Sequence, residues 1–344
     1  MVQIFYSIVK IKWFVAHRRR EDNQDLIIRS RHFAVMNPAY LAFAALGLVW
    51  GTNFLFMKWA SVEISASQIV FLRVLFGFMP LLAVALFTRA LRWRHLRHAH
   101  HFIVMSLLAT VIYYYAFAKG TALLPSSVAG MLSGAIPLFS FLCAWALLRE
   151  ERLNVRMIGG IVLGFVGVLM IARPWNAHGG GIDPRGVGYM IAGSLSVGCS
   201  FVYARRFLSN LDLSPLVLST WQIGFALVII SCITDFRGMM HVTDYTRAVL
   251  GLVLGLGLTG TGLAYILYYA IVARLGAVAA SSVTYVPPVI ALLMGSLIAH
   301  ESVRGIELIA MAAILGGVFL LQTGREFNAS TPGARKATQA TRRA

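Results

Sequence analysis

Charge is scarce in this sequence. Lys, Arg, Asp and Glu together make up 12% of its 344 residues, about half the share of an ordinary soluble domain. Hydrophobic residues make up 58%, and mean hydropathy is +0.75. A water-soluble core of this length cannot hide that much apolar surface, so the composition excludes a soluble globular protein. Cysteine is nearly absent. Cys143, Cys199 and Cys232 lie apart in apolar runs, with no metal-ligand spacing and no disulfide framework. No metal and no cofactor is expected. Acid is also sparse. Glu63, Glu150, Glu151, Asp183, Asp212, Asp235, Asp244, Glu301 and Glu307 all fall at or near the ends of apolar runs, and no histidine lies in the middle of one. There is no H-E-x-x-H, no acid pair inside a run and no nucleophile beside a base, so no catalytic set is legible.

What is abundant is the long apolar run. A membrane-spanning helix needs roughly 20 apolar residues, and ten runs qualify: about 39–58, 67–88, 102–122, 126–148, 157–173, 187–207, 214–234, 248–270, 277–299 and 304–322. The expected fold class is all-α integral membrane, with ten transmembrane helices. The net charge of +17 does not point to nucleic acid. The basic residues sit in short loops and tails, without a basic helix face or an aromatic platform. Their distribution is instead a topology signal. One set of run ends holds 22 Lys and Arg, the opposite set holds 7, and Arg73 alone lies well inside a run. The bias places both termini in the cytoplasm of a cell with this protein in its inner (plasma) membrane. Residues 1–37 form a basic N-terminal extension with two open readings. MVQIFYSIVKIKWFVAHRRR is either a helix lying on an anionic membrane surface or a leader ahead of the natural start MNPAYLAF.

The chain also repeats itself. A shift of 151 carries Pro137 onto Pro288 and Glu150 onto Glu301. A shift of 150 carries Gly160 onto Ala310 and Gly167 onto Gly317, and a shift of 149 carries Ser65 onto Ser214 and Arg73 onto Gln222. The predicted organisation is two five-helix repeats, 38–173 and 186–323, joined by an external linker at 174–185 and followed by a basic cytoplasmic tail at 324–344. Five is odd, so the second copy enters the membrane from the opposite side. Inverted repeats of this kind place a substrate site near mid-membrane at the repeat interface.

Several segments resemble one known family. They are WGTNFLFMK (50–58), SQIVFLRVLFGF (67–78), the two proline-to-glutamate stretches, and the glycine-bearing runs GGIVLGFVGVLM (159–170) and AMAAILGGVFLL (310–321). In this order they are similar to EamA-type members of the drug/metabolite transporter superfamily, over about residues 38–323. The resemblance implies a ten-helix exporter or exchanger of amino acids or related amphipathic metabolites, working by alternating access. A small-molecule substrate and the lipid bilayer are the expected partners, and a homodimer stays open. The lack of a titratable group in mid-run favours facilitated export or exchange over proton coupling. Competing readings are a lipid or lipid-precursor carrier, a non-transporting sensor or scaffold, and an intramembrane enzyme.

Candidate substrate-binding residues are Trp50, Asn53, Arg73, Tyr114, Tyr265, Tyr268 and Tyr285. Arg73 is either an anchor for a substrate carboxylate or a structural arginine on helix-end carbonyls. Trp50 and Asn53 share a helix face. The tyrosines of 113–115 line a cavity or form an interfacial belt. Pro137, Pro287 and Pro288 are expected to kink their helices, with the sharper break at the double proline. Glu150 and Glu301 are either gates or helix-end caps. GLGLTG (255–260) matches a dinucleotide fingerprint but lies inside an apolar run with no strand, so close helix packing or local unwinding is the reading it supports.

Overall fold

A computed structural model describes residues 38–148, 153–173, 182–209, 211, 213–268, 270–271, 274 and 282–330. All of them belong to one unit, Pro38–Ala344. The extension 1–37, Glu150 and most of the external linker lie outside the described residues.

Among the described residues there are helices and turns and no strand. The helices are α1 (Pro38–Glu63), α2 (Ala66–Phe87), α3 (Trp93–Leu123), α4a (Ser126–Ser133), α4b (Ile136–Leu148), α5 (Val155–Ala172), α6 (Pro184–Tyr203), α7 (Pro215–Ile233), α8 (Thr246–Tyr268), α9 (Val286–Leu297) and α10 (Gly305–Ser330). Among the described residues nine stretches are long and apolar enough to cross a membrane, and Val283–Leu297 is a shorter apolar one. With α4a and α4b counted as one span, these occupy the ten runs read from the sequence.

Helix starts follow side-chain chemistry. Ser65 and Gln68 form a reciprocal capping box at α2, which satisfies two backbone donors that the first turn leaves free. Gln68 also donates from Nε2 to the carbonyls of Asp235 and Arg237, tying α2 to the α7–α8 connection. Asn154 caps α5, and its amide nitrogen donates to Gly324 O on α10. Asp183 and Ser214 cap α6 and α7, each followed by a proline at the first helical position.

The prolines do something different from the expected kink. α4a ends at Ser133, Gly134 and Ala135 form a turn, and Pro137 is the second residue of α4b. A 3-10 turn, Ser282–Tyr285, precedes α9, and Pro287 and Pro288 occupy its opening positions. Each proline therefore begins a new helical segment. Its missing N–H would have no helical partner there anyway, so the cost of about 3 kcal/mol for an interior proline does not arise. Pro80 is the exception, lying inside α2 against Gly262 of α8.

α5 and α10 pack along a glycine seam. A Cβ added at Gly160 would fall 2.5 Å from Gly317 O, and one added at Gly167 would fall 2.6 Å from Ala310 O. The shift of 150 exchanges these two contacts. At one end of the seam Arg173 and Glu307, both buried, meet at 3.2 Å. Large apolar residues on the other faces, such as Val162, Leu169, Ile309 and Phe319, are exposed, as bilayer-facing side chains must be. Lipid is as apolar as leucine, so helix association rests on close contact of small residues. Gly167→Leu would drive a side chain into the α10 backbone. The expected result is loss of more than about 3 kcal/mol of stability, read as a collapse of the detergent-solubilised melting transition. The lipid-facing Val162→Leu should leave that transition in place.

Candidate functional site

Arg73 is the eighth residue of α2, about 10 Å along the helix from its start at 1.5 Å per residue. It is 6% exposed. Nε donates to Thr261 Oγ1 of α8 at 3.1 Å, and one terminal nitrogen reaches Met57 Sδ of α1 at 3.9 Å, a weak acceptor. The guanidinium carbon lies 3.8 Å from the centroid of the Tyr114 ring on α3. A cation on a ring face is stabilised by the ring quadrupole. Among the described residues no carboxylate pairs with Arg73, in contrast to Arg173 with its Glu307.

Asn53 stands one helical turn from Met57 on α1. It is 5% exposed, and its Oδ1 is buried without a hydrogen-bond partner. That oxygen lies against Gly260, the residue before Thr261. A buried polar atom without a partner costs about 1–3 kcal/mol. Three helices thus bring together a cation with unused donors and an acceptor with no donor. Glycine at 260 is what lets α8 approach so closely. The GLGLTG stretch lies in a π-helical segment, Gly251–Leu263, where Gly255 meets Phe56 and Gly257 meets Phe76.

The other expected residues do not all join this group. Tyr114 does, through Arg73, and Tyr113 packs beside it and on Phe117. Tyr115 instead faces Lys119 at 5.9 Å. Trp50 pairs with Tyr268 at 6.1 Å between ring centroids, in a separate small cluster with Leu46, Ala264, Ile271 and Val283. Tyr265 and Tyr285 pack against the main core. The site expected as one aromatic cavity is therefore two packed loci at successive depths. A cavity of about 470 Å³ lies where α1 ends and α2 begins, lined by Ser61, Glu63, Gln68, Asp235, Arg237 and His241 among others. Gln68 is five residues, about 8 Å, from Arg73 along α2.

Glu301 follows α9 and caps α4a. Its Oε1 accepts from Ser126 N at 2.7 Å and Ser126 Oγ at 2.8 Å, and its Oε2 accepts from Ser127 N at 2.8 Å. Burial pushes this carboxyl up, but the hydrogen bonds from Ser127 and Ser126 outweigh it and hold it below the ordinary 4.5. Lys58 Nζ binds the carbonyls of Thr121, Ala122 and Leu124 at the end of α3 and interacts electrostatically with Glu301. Small residues close the rest of the α4a–α9 contact: Gly130 on Ala291, Gly134 on Pro288 and Gly295 on Ser127. Glu150, the repeat partner of Glu301, lies outside the described residues.

Sequence reasoning missed Thr261, Ser126, Ser127 and the role of Lys58. Pro125-Ser126-Ser127 is a readable helix start, but nothing local says which carboxylate fills it. Thr261 is one of only a few polar residues in its run, and its pairing with Arg73 joins positions 188 apart.

These features define a multi-pass, all-helical membrane protein with a polar locus between two halves. The model of the EamA-like transporter family matches residues 37–173 and again 184–323, so the chain belongs to that family. It is 23% identical over 288 residues to an uncharacterized transporter, YoaV, of Bacillus subtilis, covering 83% of this chain and 97% of that protein. It is 24% identical over 302 residues to an uncharacterized inner membrane transporter, YedA, of Escherichia coli, covering 85% and 93%. A solved crystal structure at 21% identity aligns with a TM-score of 0.53, over 83% of this chain and 98% of that one, and shares its fold. The family and the names of these relatives make the chain a membrane transporter.

A carboxyl held low stabilises the folded state above its unfolded pKa and loses that contribution as pH falls through its folded value. Wild-type protein should therefore be several degrees more stable than Glu301→Gln at pH 6, and the gap should narrow as pH falls below the ordinary 4.5 and through the lower folded-state value. Paired melting curves across pH 3–7 check this.

Proposed function

We propose that the protein exports small zwitterionic metabolites, amino acids foremost, across an inner membrane by alternating access, with both termini cytoplasmic. One observation carries this reading. Arg73 is buried without a carboxylate partner among the described residues, and Asn53 Oδ1, which lies against Gly260 next to Arg73's partner Thr261, has no donor. An α-amino acid supplies both missing groups. Its carboxylate matches the guanidinium fork, and its ammonium donates to Asn53 Oδ1. Tyr114 and Met57 wall the locus, and Trp50, Tyr265, Tyr268 and Tyr285 line the route toward the cytoplasmic side.

Two repeats, 38–173 and 186–323, would rock about this locus. The segment breaks at Pro137 and at Pro287–Pro288 serve as hinges. The α4a–α9 contact capped by Glu301 closes the outer side, and Glu150 is assigned the matching gate by the sequence shift alone. Opening outward requires Ser126 and Ser127 to leave the Glu301 carboxylate.

In proteoliposomes, Arg73→Ala should cut exchange of a zwitterionic amino acid by about 100-fold, the equivalent of about 3 kcal/mol for lost charge-assisted bonds. Arg73→Lys should keep part of the activity, and transport of a neutral amide analogue should be indifferent to both changes. Unchanged amino-acid exchange in Arg73→Ala would remove the anchor role.

A further inference from the structure

The Arg73 locus has a counterpart. The register that places Gln222 on Arg73 places Thr110 on Thr261 and Tyr114 on Tyr265, with shifts of 149 and 151. The structure joins both members of the second pair as it joins the first. Gln222 Nε2 of α7 donates to Thr110 Oγ1 of α3 at 3.0 Å, as Arg73 Nε of α2 donates to Thr261 Oγ1 of α8. Gln222 is the eighth residue of α7, as Arg73 is of α2. α2 and α7 run in from opposite faces, so the two pairs lie at matching depths, one in each half of the membrane. Both threonines sit in π-helical segments, Leu107–Val111 and Gly251–Leu263. Such segments are rare and concentrate at functional sites. Ser106, fully buried, donates to Gln222 O at 2.6 Å and holds α7 against α3.

We infer that Gln222 and Thr110 form a second, uncharged polar subsite in the cytoplasmic half, which receives the carboxylate of the solute before Arg73 takes it in the outer half. This rests on the reading of the protein as a carrier of zwitterions. The difference in side chain is the functional point. A primary amide donates to a carboxylate without a charge of its own, so the inner subsite binds and lets go. The guanidinium at the outer subsite binds more strongly. Cytoplasmic loading is therefore weak, and the solute gains its ionic contact only after passing the centre. Thr110 supplies a hydroxyl beside the amide, and Tyr265 is the counterpart of Tyr114 in the sequence register.

The test separates the site from the solute. Gln222→Cys and Thr110→Cys are each made in a chain whose three native cysteines are replaced by alanine or serine. Both are labelled with a membrane-impermeant methanethiosulfonate from each face, in inside-out and right-side-out vesicles. A water-lined inner subsite makes at least one of the two react at least tenfold faster from the cytoplasmic face. Absence of reaction from either face in both folded variants would mean a buried staple between α3 and α7, and preferential reaction from outside would misplace the pathway; either overturns the inference. L-Threonine and L-phenylalanine are then added at millimolar concentration. Slower labelling supports the zwitterion class. Cytoplasmic labelling with no protection keeps the inner subsite and overturns the class of solute assigned to it. In transport, Gln222→Arg should tighten cytoplasmic loading and slow turnover, whereas a purely structural staple would lower stability and leave the KM at the two faces in its wild-type ratio.

Discussion

Arg73 brings a cation into the middle of a bundle whose surroundings are hydrocarbon. Inserting such a charge costs about 2.5–3.5 kcal/mol at the centre of a membrane helix, and the bundle answers only part of that cost from its own residues. Thr261 takes one donor, Tyr114 lends a ring face, and Met57 adds a sulfur. The comparison with Arg173 is instructive. There the same type of side chain, equally buried, has a glutamate at 3.2 Å and sits in a rigid seam of glycines. One arginine is neutralised within the protein and the other is left with donors to offer. The orphan oxygen of Asn53, against Gly260, has the complementary deficit.

The rest of the bundle makes sense around that locus. α5 and α10 are locked by backbone-close contacts that no side chain larger than hydrogen would permit at Gly160 or Gly167. α4a and α9 also meet through small residues, but their contact ends in a carboxylate capping a helix start across a chain separation of 175. Hydrogen bonds of that kind can be exchanged with water at the membrane surface, whereas the glycine seam cannot open without exposing backbone to lipid. The prolines divide the fourth and ninth spans into segments, so motion of an outer half need not carry the inner half with it. A static seam and a releasable contact in one fold suit the alternating access proposed above.

Much of the fold was legible because each span is an apolar run bounded by charge, and because Pro137, Glu150, Gly160 and Gly167 return at fixed shifts. Arg73 was legible for the same reason, as the one cation away from a run end. The segment break at Gly134–Ala135 and the π-helical turn at Leu107–Val111 were not, whereas the π-helical stretch Gly251–Leu263 showed in the sequence only as close packing or local unwinding at 255–260. In a helix apolar on every side, periodicity carries little signal, and a change of hydrogen-bond register leaves no trace in composition. Thr261 and Ser126–Ser127 were hidden for another reason, since their roles depend on tertiary neighbours more than 170 positions away. The aromatics do not all pack together. Trp50 and Tyr268 belong to a second cluster: Trp50 lies three residues before Asn53 on α1, and Tyr268 lies seven residues after Thr261 on α8.

The most direct measurement compares ligand binding to purified protein for an amino acid and for the same amino acid with its carboxylate masked as the methyl ester. If Arg73 holds the carboxylate, the free acid at millimolar concentration raises the melting temperature of wild-type protein by several degrees, the ester does not, and neither shifts Arg73→Ala. Equal shifts from acid and ester, or a shift that survives Arg73→Ala, would show that the buried cation serves the bundle alone.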